Sequence, residues 1–158
     1  MTNPVTIISL TGNPAAGKTT LVRSIRDAGH PLGWWCVKDH WYIPQGIVVD
    51  GKMCWPTFRE RMPAMRRSLA DAMIEAGLPV FAIEHSGVGK WLGRIIRRLE
   101  QRRKVVHIHL LPRLVGSDEP DPYWRTSSRR RDGLTYEAAH DEILATINAT
   151  KNTTGGER

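Results

Sequence analysis

The chain has 158 residues, 41% hydrophobic and 25% charged, which suits one globular unit able to bury a core without disulfides. Lys and Arg number 23 against 16 Asp and Glu, and the formal charge of +7 directs attention to a polyanionic partner. No apolar run approaches the roughly 20 residues needed to cross a bilayer. No secretory leader is visible, and Cys36 and Cys54 make no disulfide framework.

Strands and helices alternate along the chain. Residues 5–10 form an uncharged β-branched run, apolar at successive positions, as in a strand buried on both faces. A glycine-bounded loop follows, then a helix over 18–28 that Gly29 and Pro31 stop. A second strand is expected at 34–38, ending at Asp39. Residues 48–49 and 53–54 flank Asp50-Gly51 and read as a small hairpin. Pro63 suits the first turn of a helix over 63–76, with Met65, Leu69, Ala72 and Met73 on its core stripe. The third strand is 80–84. Ser86 or Gly87 opens a helix to about 103, with Leu92, Ile95, Ile96 and Leu99 inward and Lys90, Arg94, Arg97, Arg98 and Arg102 outward. Residues 105–111 form the fourth strand, and His107 and His109 share one of its faces. A polar, Arg-rich loop spans 112–134. A last helix covers 136–148 with Thr135 as N-cap, and a frayed tail follows from 150. The implied architecture is a single α/β domain over 1–149, a parallel sheet covered on both faces.

One motif carries chemistry. Gly12-Asn13-Pro14-Ala15-Ala16-Gly17-Lys18-Thr19 fits G-x-x-x-x-G-K-[ST], with Thr20 beside it. Glycines let the backbone turn its N–H groups onto a phosphate, and a helix N-terminus adds a favourable dipole. Lys18 is placed to reach the β- and γ-phosphates, and the Thr19 hydroxyl to hold Mg²⁺. A chance match in a chain this long has odds of roughly one in a few hundred. Here the motif also follows an apolar strand and opens an amphipathic helix. The reading is a nucleoside-triphosphate site, for ATP.

On these residues the chain resembles the P-loop kinase family, most closely over residues 5–30. The resemblance implies a P-loop NTPase three-layer sandwich with four or five parallel strands and an Arg-rich lid. Lys38-Asp39-His40-Trp41-Tyr42 looks like the D-x-F-Y-type segment of uridine-kinase-like enzymes, with Trp41 replacing the first aromatic. By that resemblance Asp39 is the general base or an indirect Mg²⁺ ligand. Trp55-Pro56 is similar to acceptor-site segments of nucleoside kinases. Glu84 ends an apolar strand, as a Walker-B-type carboxylate does, and could hold Mg²⁺ through water. Arg125, Arg129, Arg130 and Arg131 lie where such kinases carry lid arginines, and Arg129 and Arg130 are the catalytic candidates.

The charge is uneven. Residues 86–131 hold twelve Lys or Arg and four Asp or Glu, so the basic excess lies in the helix and lid over 88–103 and 112–134. A broad basic surface suits a polymer of phosphates. The expected acceptor is therefore a hydroxyl on DNA, and the phage kinases of 5-hydroxymethyluracil in DNA are a similar type. A small nucleoside-type acceptor is the alternative, and a non-transferring nucleotide switch or DNA-binding ATPase a third reading. No membrane partner is implied, and the cytoplasm (a host's, if the source is viral) is the expected location.

Overall fold

The computed structural model describes residues 5–12, 16–36, 47–54, 58–85, 90–111 and 133–155. In chain order the elements are β1 (Thr6–Gly12), α1 (Lys18–Asp27), β2 (Gly33–Cys36), β3 (Ile47–Val49), β4 (Lys52–Cys54), α2 (Phe58–Ala76), β5 (Val80–Glu84), α3 (Lys90–Glu100), β6 (Val105–Leu110) and α4 (Tyr136–Gly155).

Four strands form one parallel sheet in the order β2-β5-β1-β6. β3 and β4 pair antiparallel across Asp50-Gly51, the hairpin expected there. Of the four or five parallel strands expected, four are present among the described residues, and Leu134 adds a single parallel bridge to Leu110. Parallel pairing needs crossovers, so each strand returns through a helix.

Alternation along each strand feeds two cores. On one face Ile8 and Leu10 of β1 and Val80 and Ala82 of β5 meet Leu21, Val22 and Ile25 of α1 and Ala139, Ile143 and Ile147 of α4. On the other, Ile7, Phe81 and Ile83 meet Met65, Leu69 and Met73 of α2 and Ile95 and Ile96 of α3. Neighbouring residues of one strand thus serve opposite layers, which makes a three-layer α/β sandwich. Trp34 and Trp35 divide in the same way: Trp34 packs toward α1 and Trp35 is buried under α2.

Three helix bounds differ from the sequence expectation. α2 begins at Phe58, before Pro63, so the proline lies inside the helix. It costs the bond its missing N–H would have made, and the apolar stripe behind it holds the helix together. α3 is shorter than expected, and the amides of Arg102 and Arg103 both turn back onto the Leu99 carbonyl. α4 continues to Gly155, so residues 150–155 are helical where a tail was expected. Its start is as expected: the Thr135 hydroxyl accepts the Ala138 amide at 3.2 Å.

Gly33 opens β2 against the Phe81 ring. A Cβ there would lie 2.4 Å from Phe81 Cδ2, on a side chain that is itself fully buried. Gly33→Ala should destabilise the protein by about 1–3 kcal/mol through this overpacking. Urea unfolding should show a lower midpoint at unchanged slope.

Candidate active site

The C-terminal ends of β1, β5 and β2 meet the start of α1, where open α/β sheets bind ligands. β1 ends at Gly12, whose backbone runs so close to β6 that a Cβ would lie 2.8 Å from the Leu110 carbonyl oxygen. Gly17 takes a left-handed conformation (φ 95°) and starts α1, its carbonyl accepting the Leu21 amide at 2.9 Å. Among the described residues no side chain caps that end, and the first turn carries no acid. Its first amides therefore face the loop without intrahelical acceptors, a setting that favours an anion.

Lys18 is 7% exposed and reaches back to the end of β1, donating from Nζ to the Gly12 carbonyl at 2.6 Å. Thr19 reaches across to β5 and donates from Oγ1 to Glu84 Oε1 at 2.6 Å. Glu84 is 4% exposed. Its second oxygen accepts the Trp34 indole N–H at 2.8 Å. Register explains the reach. Trp34 pairs with Ala82 and Cys36 with Glu84, so Trp34 and Glu84 share a sheet face two residues apart. On the ring itself stand the guanidinium groups of Arg23 and Arg26, each 5.8 Å from its centroid.

The structure thus brings Gly12, Ala16, Gly17, Lys18, Thr19 and Glu84 to one place. Thr20 lies on the exposed side of α1. Asn13, Pro14, Ala15, Asp39, Trp55, Pro56, Ser86, Arg125, Arg129, Arg130 and Arg131 lie outside the described residues. Sequence reasoning missed the bond from Trp34 to Glu84, because it depends on strand pairing across 50 positions. The only local signal was the Trp34-Trp35 pair, which alternation must split between faces.

A second polar row lies on the other sheet face, beneath α3. Ser9 Oγ is 2.8 Å from His85 Nε2, Thr11 Oγ1 is 3.0 Å from His109 Nδ1, and His107 Nε2 is 2.6 Å from Glu100 Oε1. Both strand histidines thus have side-chain partners. No group of three or more His, Cys, Asp or Glu among the described residues is arranged to hold a metal ion.

Burial, then the Lys18 ammonium and then His107, push the His85 imidazole down to about 3. His85 is therefore neutral in the folded protein at physiological pH, whereas an unfolded chain takes up its proton near 6.5. Below 6.5 the unfolded state binds more protons, so this group's effect is to lower stability as pH falls from about 6.5 toward 3. In protein free of nucleotide and metal, the melting temperature should drop over that range, and His85→Gln should flatten part of the drop.

No known family model matches the sequence, and no curated protein matches it. Among solved structures, the crystal structure of APE1195 overlays with a TM-score of 0.54 at 18% identity, covering 93% of this chain and 96% of that one. A sugar kinase from Janibacter sp. HTCC2649 overlays at 0.45, with 16% identity and 94% and 95% of the two chains covered. A chain of the Pnkp1/Rnl/Hen1 RNA repair complex overlays at 0.48 with 13% identity, over 97% of this chain and 47% of that one. The last two overlaps are too loose to bear on chemistry. The fold these residues make is a three-layer α/β sandwich: a small parallel sheet between helical layers, with the glycine-bounded segment falling between β1 and α1.

Proposed function

We infer that the chain is an ATP-dependent phosphotransferase of the P-loop kinase type. The observation that carries this reading is the junction of Lys18, Thr19 and Glu84, two strand ends and a helix start converging on one uncapped helix N-terminus. Lys18 is held by the Gly12 carbonyl, and a triphosphate would take over that ammonium. A hydroxyl and a carboxylate suit a hard cation, so Thr19 and Glu84 would hold Mg²⁺. Bound there, Mg²⁺ would neutralise charge on the β- and γ-phosphates.

In this reading the acceptor hydroxyl attacks the γ-phosphorus, the bond to the bridging oxygen breaks, and ADP leaves. Asp39 takes the hydroxyl proton, and Arg129 and Arg130 offset charge on the transferring group. The β1–α1 backbone amides orient the phosphates, which supplies most of the rate through positioning.

For the acceptor, the reading is a hydroxyl on a modified base in DNA, 5-hydroxymethyluracil. Charge supports it: Arg94, Arg97, Arg98 and Arg102 are all exposed around α3, opposite the buried Ile95 and Ile96. A base in a duplex would have to leave the stack, at a cost of a few kcal/mol. Labelled ATP should be incubated with a duplex containing 5-hydroxymethyluracil, an unmodified duplex and free nucleosides. Label should enter the modified duplex alone. Transfer only to free nucleosides sinks the DNA acceptor, and hydrolysis with no transfer sinks the kinase; Lys18→Ala is the inactive control.

If α3 tracks a phosphate backbone, binding must weaken with salt. Replacing Arg94, Arg97 and Arg98 together by Gln should reduce the slope of log affinity against log salt by about 2.7, at ~0.9 per lost contact. Titrating duplex DNA at several salt concentrations reads that slope directly.

A further inference from the structure

We propose that Trp34 is a positioning residue that fixes the Glu84 carboxylate for the cation held with Thr19. This rests on the nucleotide-site reading above. The two oxygens of Glu84 are divided between two donors from different elements. Oε1 takes the Thr19 hydroxyl from α1 and Oε2 takes the Trp34 N–H from β2. A carboxylate held at one oxygen alone turns about its terminal torsion, which has broad, roughly two-fold preferences. Held at both, the plane of Glu84 is set, and Oε1 is kept toward Thr19.

Trp34 suits this task because its own ring is held in place. It packs at the edge of the core under α1, and Arg23 and Arg26 stand over the ring. The indole offers one N–H and no acceptor, so it can hold a carboxylate but cannot compete with it for a cation. The bond, 2.8 Å long, ends on a carboxyl group that is 4% exposed, and a satisfied hydrogen bond in so buried a place is strong. Trp35, its neighbour, faces the opposite layer, with Nε1 3.4 Å from Ser68 Oγ, and serves as an internal reference.

The test measures equilibrium binding of a fluorescent ATP analogue as Mg²⁺ is varied. Wild-type protein whose affinity for the analogue ignores Mg²⁺ would overturn the nucleotide-site reading itself. With that dependence present, Trp34→Phe should raise the Mg²⁺ concentration at half-effect about tenfold, leaving metal-free nucleotide affinity unchanged. Added to Glu84→Gln, it should change nothing further, since both act through one carboxylate. A full additional effect in the double variant would overturn the proposal, as would an unchanged Mg²⁺ requirement in Trp34→Phe. A second readout needs no change at Trp34. The assigned Trp34 indole N–H resonance should move in Glu84→Gln while the Trp35 resonance stays, and a Trp34 resonance indifferent to Glu84→Gln refutes the bond.

Discussion

A buried ammonium group organises this molecule. Lys18 lies almost wholly out of water at the joint between the first strand and first helix. A charge in such a place is costly unless nearby groups compensate it. The Gly12 carbonyl supplies one compensation at 2.6 Å. Each glycine has its own reason to lack a side chain: Gly12 passes the Leu110 carbonyl, and Gly17 turns left-handed to begin α1. The same charge reaches His85 and helps keep its imidazole neutral. The end of β1, the helix start and the residue after β5 thus all meet one cation.

Polar groups at the strand ends are divided by sheet face. Glu84, Thr19 and Trp34 lie on the α1 side, whereas Ser9, His85, Thr11 and His109 lie on the α2 and α3 side. Strand alternation makes this separation automatic. Glu84 and His85 follow one another in sequence, yet one bonds toward α1 and the other toward Ser9. Two hydrogen-bonded networks can therefore approach the same loop without exchanging partners.

Features set by local chemistry were legible in the sequence. The run Val-Phe-Ala-Ile-Glu has no polar interruption between Pro79 and Glu84 and is found as β5 with the expected bounds. The Asp50-Gly51 hairpin and the Thr135 cap are equally local. Lys18, Thr19 and Glu84 could be selected because strand-end and loop positions have few roles in an α/β sheet. What escaped depends on tertiary packing. α2 starts ahead of Pro63 because its buried stripe outweighs one proline. α4 continues through Asn152, Thr153 and Thr154, which are poor signals of a helix. Trp34 gave no sign of its partner, since only the β2–β5 register brings it to Glu84.

The strand order has a consequence for how the chain is made. β1 is central, and its two neighbours are β5 at Val80–Glu84 and β6 at Val105–Leu110. Of the four sheet strands it is made first, yet neither edge can be covered until about 70 or more residues have followed. At synthesis rates of about 5–20 residues per second, that interval is on the order of 5–20 seconds. Throughout it the nascent chain carries an uncharged strand with two open edges, a template for mispairing. α1 can form early and shield one face through Leu21, Val22 and Ile25, but the edges stay bare. Assembly of this sheet is therefore a late, long-range event, and the strand that leads into the glycine loop is the one that waits for its partners.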